Sequence, residues 1–473
     1  MFTTTIITLA ILAHALGIWG AVDVIMKGRT AQGTTAWALA LVFTPWVSLP
    51  LYMVFGERKF EGYVRARRSG IREIDHAAAS LAEELCVHEL SLSGPRAGFA
   101  ALARLSRMPF TKGNQAELLI DGHATFDAIF AAIQNASHYI LVQFYIYRDD
   151  AVGKRLAELL IEARARGVRV MFLYDEIGSY SLPSSYLDAL RTAGCEVSGF
   201  RTKPRKQKAF RINFRNHRKI VVVDGLRAFV GGLNVGREYL GEDPKVGTWR
   251  DTHMSITGPA VQCLQLTFLE DWYWANRRIP ELRWSPVATS DEGSGALIIA
   301  SGPGDALDTC SLMYTHIINC AKQRLWLATP YFVPDDEVFS AIQLAALRGV
   351  DVRLLVPENT DNTLIRYSIM SFFEDLLRVG VKVYQYQPGF MHQKVTLCDD
   401  VSVVSTANLD NRSFRINFEV SAVVACPTFA AAIEQMLTSD IKSCRLITPE
   451  WCRAMPKRTR FLTRFCRLFA PIQ

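Results

Sequence analysis

A histidine, a lysine and an aspartate recur with the same spacing at two places in this sequence. The two copies of this His-x-Lys-x4-Asp pattern are His217, Lys219 and Asp224, and His392, Lys394 and Asp399. The residues between Lys and Asp are mostly apolar or β-branched, which predicts a strand. Because side chains alternate along a strand, the His and Lys of each copy share one face. An imidazole beside an ammonium group is suited to binding an anion and attacking it.

Each copy is followed by a short turn of small residues that ends in Asn. The turns are residues 231–234 (Gly-Gly-Leu-Asn) and 405–408 (Ser-Thr-Ala-Asn), and Asn234 and Asn408 add an amide to each anion site. One His-Lys-Asp pattern arises by chance on the order of once in tens of such chains. A surface His beside a solvated Lys explains either copy alone. Two copies with similar turns indicate one duplicated function.

This duplicated pattern resembles the phospholipase D superfamily, whose members build one active site from two such motifs. The resemblance covers roughly residues 116 to 440, and its details are similar to bacterial cardiolipin synthases. The matching stretches are residues 216–225, 232–236, 249–253 and 407–413, together with an apolar N-terminal hairpin that ends at residues 55–58. Two departures occur in the second copy. Ser405 stands where the family usually has Gly, and Asn408 follows Asp399 by one residue fewer than Asn234 follows Asp224.

The resemblance implies roles for the residues at the matching positions. It implies that His217 is the nucleophile and His392 the general acid/base, although the sequence does not distinguish this order from its reverse. Asp251 and Glu419 match the acidic residues that hold the histidines, and a surface salt bridge is the alternative for each. Asp224 and Asp399 belong to the catalytic motif, but we expect them to be mainly structural and to end the strands.

The joined site would place two His, two Lys and two Asn around one phosphodiester. The Lys and Asn side chains would stabilise the charge that develops on the phosphate oxygens. One imidazole can form a phosphohistidine, and the second can protonate the leaving alkoxide and later deprotonate the incoming alcohol. This chemistry needs no metal and no cofactor, and the ligand types suggest none.

The resemblance therefore implies a membrane-bound phosphatidyltransferase. Two molecules of phosphatidylglycerol would give cardiolipin and glycerol through a phosphatidyl-histidine intermediate. A phospholipase D-type hydrolase or a phosphatidylserine synthase would share the site and differ in the acceptor. A superfamily nuclease is less favoured because it needs no membrane anchor, so we expect no nucleic-acid partner. A non-catalytic membrane scaffold leaves both motifs unexplained, and paired Asp-rich metal motifs of another phosphatidyltransferase class are absent from the sequence.

Composition fits an anionic substrate without proving one. The chain has 473 residues, and its 53 Lys and Arg exceed its 46 Asp and Glu to give a net charge of +7. This mild basic excess suits an anionic surface or substrate. The ten Cys include no Cys-x-x-Cys pair, which predicts reduced thiols. The oligomeric state is not fixed by the sequence, and a homo-oligomer stays open.

Two long apolar runs near the N-terminus predict a membrane hairpin. Residues 5–26 and 36–55 each approach the roughly 20 residues that a spanning helix needs. Few basic residues lie in the link and several follow the second run, so the positive-inside rule places the catalytic part and the N-terminus in the cytoplasm. The expected location is the bacterial inner membrane, with a multi-pass topology and a phospholipid-facing enzyme. A buried hairpin of a soluble core is the weaker alternative.

The remaining chain alternates strands and helices in two similar halves, which predicts an α/β fold. We expect two phospholipase D-like α/β sandwich halves related by a pseudo-twofold duplication. The predicted divisions are a transmembrane helical hairpin (1–56), a helical connector (57–115), a first domain (116–285), a second domain (286–445) and a basic amphipathic C-terminal segment (446–473).

Two basic stretches complete the analysis. Residues 201–218 contain eight Lys and Arg, and either a solvated loop or a collar that attracts phosphate headgroups explains them. Residues 451–472 mix Arg with Phe and Leu at helical spacing, which favours a helix lying on an anionic bilayer. A core-packing helix is the alternative there.

Overall fold

The structure is a computed structural model that describes residues 2–27, 31–56, 71–200, 214–244, 246–290 and 293–470. The described residues form two compact units, an N-terminal helical unit and a larger α/β unit that contains both His-Lys-Asp motifs. Six residues of the basic stretch that precedes the first motif lie outside the described residues: Arg201, Lys203, Arg205, Lys206, Lys208 and Arg211.

The N-terminal unit consists of helices Phe2–Lys27, Ala31–Phe43 and Pro45–Phe55. Among the described residues, one helix is long and apolar enough to cross a membrane, with its apolar part at Thr4–Met26. The prediction that residues 36–55 form a single second helix is wrong, because the helix breaks at Thr44. Pro45 has no N–H to continue the helical ladder. Instead, the Ser48 hydroxyl donates to the Ala40 carbonyl over 2.9 Å across the break.

Buried strands form the centre of the α/β unit. In chain order they are β1 (Thr111–Ile120), β2 (Tyr139–Phe144), β3 (Arg169–Asp175), β4 (Glu196–Phe200), β5 (Arg215–Asn216), β6 (Ile220–Val223), β7 (Arg227–Gly231), β8 (Trp249–Arg250), β9 (Thr252–Thr257), β10 (Ser294–Ser301), β11 (Arg324–Ala328), β12 (Phe332–Val333), β13 (Asp351–Pro357), β14 (Lys382–Tyr386), β15 (Phe390–Met391), β16 (Val395–Cys398), β17 (Val401–Ser405), β18 (Leu409–Asp410), β19 (Asn417–Ala425) and β20 (Cys444–Leu446).

Helices cover the faces of this sheet. The α-helices are Ile71–Cys86, Ala100–Ser106, Asp121–Gln134, Ala151–Ala165, Ser184–Thr192, Val261–Asn276, Thr309–Cys320, Asp336–Leu347, Thr363–Met370, Phe373–Arg378, Asn411–Arg415, Pro427–Lys442, Pro449–Ala454 and Lys457–Arg467, and short 3-10 helices occupy Gly94–Phe99 and Arg237–Leu240. Local chemistry sets several of their ends. For example, the Asp150 side chain accepts from the N–H groups of Val152 and Gly153 at the start of Ala151–Ala165.

The order of the strands shows the duplication directly. The first half runs β4-β3-β2-β6-β7-β9-β1, and the second half runs β14-β13-β11-β16-β17-β19-β10, with β20 added beside β14. The two series correspond strand by strand, and β1 joins β10 to make one continuous sheet. The α/β class and the duplicated halves are confirmed.

Asp224 and Asp399 lie in equivalent tight turns and anchor the chain before the central strands. Each has a left-handed φ, 55° for Asp224 and 54° for Asp399. The Asp224 carboxylate accepts from the backbone N–H groups of residues 137–139 over 2.7 to 2.8 Å. Asp399 accepts in the same way from residues 322–324 over 2.9 to 3.0 Å. The Asp224 carboxylate therefore fixes the start of β2, and the Asp399 carboxylate fixes the start of β11. Strand β6 separates Asp224 from His217, and strand β16 separates Asp399 from His392.

Removing either carboxylate should destabilise the α/β unit. Asp224→Ala or Asp399→Ala leaves three N–H groups without their charged acceptor, which costs about 2–4 kcal/mol of unfolding free energy. Thermal unfolding in detergent measures the loss. The exposed Asp188, which pairs with Arg191 over 2.8 Å, supplies the control Asp188→Ala, for which about 0.5 kcal/mol or less is expected. Equal midpoints for all three variants would contradict the anchoring role.

Candidate active site

Each motif histidine is positioned by a short strand that pairs with the opposite half of the chain. β5 pairs in parallel with the start of β19, so that Asn216 lies opposite Phe418, and the His217 N–H donates to the Phe418 carbonyl over 2.9 Å. β15 pairs with β8 in the same manner. There the His392 N–H donates to the Arg250 carbonyl over 2.7 Å. If each pairing is continued by one residue, His217 lies opposite Glu419 and His392 lies opposite Asp251. Each histidine is therefore beside a carboxylate of the other half.

The side chains make the contact that this register prepares. His217 Nδ1 lies 3.0 Å from both carboxylate oxygens of Glu419. His392 Nδ1 lies 2.8 Å from Asp251 Oδ2. A Nδ1–H that donates to a carboxylate fixes the tautomer and leaves Nε2 as the nitrogen that can meet a substrate. Both predicted carboxylates thus contact a histidine, and each contacts the histidine of the opposite half.

Further bonds hold the two carboxylates in place. Glu419 accepts from the Thr406 hydroxyl over 2.6 Å and from the Asn417 amide over 3.1 Å. Asp251 accepts from the Thr252 N–H over 2.8 Å. Burial is the largest single influence and acts to raise the pKa of each carboxyl, but the adjacent histidine, a lysine and the hydrogen-bond donors together lower the net pKa. Both groups are therefore anions that orient an imidazole.

The two lysines complete a fully buried cluster. Lys219 Nζ and Lys394 Nζ each donate to the carbonyl of the histidine two residues earlier over 2.7 Å. Burial lowers the pKa of Lys219 to about 7 and that of Lys394 to about 8. The carboxylates Glu419 and Asp251 act in the opposite direction and raise both pKa values. Each lysine also acts electrostatically on the other, so the cluster is shared between the halves.

The two imidazoles are neutral at physiological pH. Burial lowers the pKa of His217 to about 4, although Glu419 acts in the opposite direction. Burial likewise lowers the pKa of His392 to about 3, and Lys394, whose Nζ lies 3.0 Å from both ring nitrogens, lowers it further. A neutral imidazole can act as a nucleophile or as a base, and it can act as a general acid only after it gains a proton.

Asn234 and Asn408 occupy equivalent places despite the different spacing in the sequence. Ile220 pairs with Val230, and the corresponding residue of the second half, Val395, pairs with Val404. Each Asn lies four residues after the second member of its pair. The missing residue of the second copy is therefore lost in the β16–β17 turn. The Asn234 amide donates to the Tyr239 hydroxyl over 3.1 Å, and the Asn408 amide donates to Asp410 over 3.1 Å. In this arrangement both amides bond to protein groups.

Gly232 and Thr406 are corresponding residues with different tasks. A Cβ at residue 232 would collide with the Asp251 carboxylate, so only glycine fits there. At the corresponding position of the second half, Thr406 reaches Glu419 with its hydroxyl. Thr406 was not predicted from the sequence, where its signal was the departure from Gly-Gly in the second turn.

Aromatic side chains around the histidines were also missed. The Tyr145 ring lies 5.1 Å from the His217 ring. Trp249 and Phe390 lie 5.0 and 5.5 Å from the His392 ring. Strand alternation could have indicated Phe390, because it precedes His392 by two residues.

Arg218 is not part of a solvent-facing basic collar. It is 3% exposed and forms an ion pair with Asp271 over 2.8 Å. Asp271 also accepts from the side-chain amides of Gln143 and Asn216 over 2.7 and 2.8 Å. For Arg218 the prediction of either a solvated or a headgroup-binding position is wrong, because a buried network behind His217 satisfies its charge.

Comparisons with known proteins identify the family. The family described as "Cardiolipin synthase, PLD-like domain" matches residues 129–257 and 314–441, and "Phospholipase_D-nuclease N-terminal" matches residues 15–57. The protein "Cardiolipin synthase A" of Pseudomonas aeruginosa (strain LESB58) is 48% identical over 478 residues, covering 100% of this chain and 97% of that relative. The chain belongs to the bacterial cardiolipin synthases of the phospholipase D superfamily. The resemblance and the enzyme class predicted from the two motifs are confirmed.

Other relatives of this cardiolipin synthase family member agree. "Cardiolipin synthase A" of Pseudomonas putida (strain W619) is 47% identical over 465 residues, which cover 98% of this chain and 97% of that one. The crystal structure of phosphatidylserine synthase from Haemophilus influenzae Rd KW20 superposes with a TM-score of 0.59 at 16% identity, covering 80% of this chain and 100% of that one. The latter likeness concerns the fold alone.

The buried neutral state of His217 predicts a pH dependence of stability. An unfolded imidazole titrates near pH 6.5, whereas burial lowers the folded pKa of His217 to about 4. Below pH 6.5 the unfolded chain therefore binds a proton that the folded site does not, and falling pH favours unfolding. Between pH 8 and pH 5 this group accounts for about 2 kcal/mol of lost stability.

His217→Gln should consequently lose less stability between pH 8 and pH 5 than the wild type. The comparison of thermal midpoints at the two pH values measures this difference. His123→Gln, which changes an exposed histidine, is the matched control and should keep the wild-type pH dependence. If His217→Gln also keeps it, the imidazole is charged in the folded site and the assigned state is wrong.

Proposed function

We propose that this protein is a membrane-attached phosphatidyltransferase that makes cardiolipin and glycerol from two molecules of phosphatidylglycerol. One observation carries the proposal. Two neutral imidazoles, each held by a carboxylate of the opposite half, share one buried cluster with two lysines, in a chain that matches cardiolipin synthases over its whole length. The choice of substrates is inferred from the family. The two histidines and two lysines of the cluster are the groups that carry out the reaction.

The first step forms a covalent phosphatidyl-enzyme. Nε2 of His217 attacks the phosphorus of the first phosphatidylglycerol, and the bond from phosphorus to the glycerol oxygen breaks with its electron pair going to oxygen. The phosphate anion of the bound lipid favours the protonated form of His392, so His392 enters this step with a proton on Nε2 and gives that proton to the glycerol oxygen, and free glycerol leaves. Glu419 stabilises the positive charge that develops on the His217 ring, because it accepts from Nδ1.

The second step transfers the phosphatidyl group to the second phosphatidylglycerol. His392 takes the proton from the terminal hydroxyl of the acceptor, and the acceptor oxygen forms a new bond to phosphorus. The P–N bond to His217 breaks and returns its electron pair to the imidazole. Lys219 and Lys394 stabilise the charge on the phosphate oxygens in both steps, and Asn234 and Asn408 shape the loops beside them.

A hydrolase or a phosphatidylserine synthase with the same cluster is the second candidate. Such an enzyme would form the same intermediate and then accept water or serine. Only the acceptor distinguishes these reactions, so the products decide between them.

Product analysis tests the function. The full-length protein with phosphatidylglycerol in detergent should give cardiolipin and glycerol in equal amounts, measured by lipid chromatography and a glycerol assay. His217→Ala and His392→Ala should each lower both products by more than about 1,000-fold, because the covalent route is lost. His123→Ala, at an exposed histidine, should retain activity. Phosphatidic acid as the main wild-type product would make the protein a hydrolase, and DNA cleavage would favour a nuclease.

For the membrane attachment, we propose that residues 5–26 and 36–55 both cross the inner membrane and that the catalytic part is cytoplasmic. The helix Phe2–Lys27 is long enough to span alone, and the two shorter helices after it contain 13 and 11 residues. Together they approach the length of a span, and non-helical backbone is tolerated in membranes where its polar groups are satisfied. At the break, the hydroxyl groups of Thr44 and Ser48 both donate to the Ala40 carbonyl.

The C-terminal helix Lys457–Arg467 offers a second membrane contact. It buries Thr463 and Cys466 against the α/β unit and leaves Phe461 and Phe465 exposed. Apolar rings beside basic side chains favour the headgroup region of an anionic bilayer. We propose that this face lies on the cytoplasmic leaflet.

Reporter fusions test the topology. Alkaline phosphatase, which is active only outside the cytoplasm, should be active when fused after residue 29 and inactive when fused after residue 56. The short link between the two apolar runs would lie outside and the basic segment after them inside. An active fusion after residue 56 would mean that one segment crosses and that the catalytic part faces outwards.

A further inference from the structure

A tyrosine and a carboxylate distinguish the surroundings of His392 from those of His217. The Tyr331 hydroxyl donates to Asp361 Oδ1 over 2.6 Å. The centre of the Tyr331 ring lies 6.5 Å from that of the His392 ring, and the two ring planes are nearly perpendicular at 81°. Asp361 is therefore one hydrogen-bonded side chain away from the histidine that transfers protons in the proposed reaction.

The fold brings Tyr331 and Asp361 together at one edge of the sheet. β11 and β13 are parallel neighbours, so the segments that follow these strands leave the sheet at the same edge. Tyr331 follows the end of β11 by three residues, and Asp361 follows the end of β13 by four. Asp361 is exposed. Because a carboxylate offers about four acceptor positions, it can accept from a ligand as well as from Tyr331.

The first half has different residues at the corresponding positions. Ile146 and Tyr331 each lie seven residues after the start of the equivalent strands β2 and β11. Ser179 and Asp361 each lie ten residues after the start of β3 and β13. Ser179 is buried and donates to the Tyr145 carbonyl over 3.0 Å. The tyrosine–carboxylate pair is therefore not part of the symmetric chemistry that both motifs share.

The two histidines meet different parts of the substrate during transfer. When Nε2 of His217 attacks phosphorus in line, the leaving oxygen lies on the opposite side, next to the acid/base His392. In the first step this oxygen belongs to the departing glycerol, and in the second step it belongs to the terminal hydroxyl of the acceptor headgroup. In both steps the neighbouring carbon is C2 of a glycerol, which carries a secondary hydroxyl. One acceptor group beside His392 can therefore serve both steps.

An exposed carboxylate held by a tyrosine suits this secondary hydroxyl. A hydroxyl that donates to a carboxylate forms a short, charge-assisted hydrogen bond. Asp361 repels a phosphate, and Lys394, whose Nζ lies 3.0 Å from both ring nitrogens of His392, disfavours a cationic ligand. Burial raises the pKa of Tyr331 well above its usual value, so its hydroxyl keeps its proton and continues to donate to Asp361.

We propose that Asp361 accepts a hydrogen bond from the secondary hydroxyl of the glycerol headgroup, and that Tyr331 is the positioning residue that holds this carboxylate. The inference rests on the proposed function, with His392 as its acid/base, and names the group that recognises glycerol in both steps. The bond positions the reacting oxygen of glycerol beside His392. An alcohol without the secondary hydroxyl gains nothing from Asp361, so the subsite selects glycerol headgroups.

Competition between two small alcohols tests the proposal. The full-length protein in detergent receives phosphatidylglycerol with equal concentrations of deuterated glycerol and 1,3-propanediol, which differ, apart from the label, in the secondary hydroxyl. Deuterated phosphatidylglycerol, phosphatidylpropanediol and cardiolipin are measured by mass spectrometry. The first two products arise from one phosphatidyl-enzyme, so their ratio reports the choice of acceptor and not the rate at which the intermediate forms.

Asp361→Ala should lower the ratio of deuterated phosphatidylglycerol to phosphatidylpropanediol by about tenfold or more, as expected for the loss of one charged hydrogen bond. Asp361→Asn keeps a carbonyl that can accept, so its ratio should lie between those of the wild type and Asp361→Ala; it also serves if Asp361→Ala does not fold. Tyr331→Phe keeps the ring and should lower the ratio by less, because the carboxylate remains. Asp188→Ala removes an exposed carboxylate that pairs with Arg191, and it should keep the wild-type ratio.

The outcomes separate the subsite from the function. A wild type that makes cardiolipin without preferring glycerol to 1,3-propanediol would overturn the subsite and leave the proposed function intact. An unchanged ratio in Asp361→Ala would do the same. Equal losses of both alcohol products at a constant ratio would assign Asp361 a structural role and would also overturn the subsite. A wild type that makes phosphatidic acid but neither cardiolipin nor either alcohol product would overturn both.

Discussion

The active site depends on the reciprocal pairing of two very short strands. β5 and β15 each contain two residues, yet each pairs with the opposite half directly before a carboxylate. Because the register is parallel, the histidine that follows each short strand comes to lie beside Glu419 or Asp251. Neither half holds a complete histidine–carboxylate pair, so the site exists only in the joined structure.

This reciprocal pairing explains how the sequences of the two halves could diverge while the active site was retained. Glu419 carries one methylene more than Asp251, and the residue facing it has changed accordingly. Gly232 leaves room for Asp251, whereas Thr406 donates to Glu419 over 2.6 Å. In both halves the result is a buried anion on Nδ1. The pairing of a carboxylate with an imidazole is retained, while the side chains that support it differ.

Much of the fold could be predicted from the sequence because its signals are local. The apolar residues between the Lys and Asp of each motif indicated strands, and the alternation of strands and helices in two similar halves indicated the α/β fold. The family was also readable, since the two His-Lys-Asp motifs and their turns are short. The histidine partners were harder to assign. Glu419 lies 202 residues from His217, and no local pattern encodes a register between segments so far apart.

Two other differences have equally physical causes. Arg218 stood in a run of basic residues that suggested a solvated loop or a headgroup-binding collar, but Asp271, 53 residues later, satisfies its charge inside the unit. Residues 36–55 form one long apolar run that suggested a single helix, and the structure shows a full break at Thr44. In both cases the residue type gave a signal, and the tertiary surroundings determined its effect.

Strand β1 carries a consequence for how lipids come and go. Its first part pairs with β10 of the second half at Thr111 and Asn114, and its remainder pairs with β9 of the first half. A hinge needs backbone that can rotate without breaking a ladder of hydrogen bonds, and a paired strand crosses this boundary instead. The halves should therefore move as one rigid body. Substrate must then reach the buried histidines and lysines without a separation of the two halves.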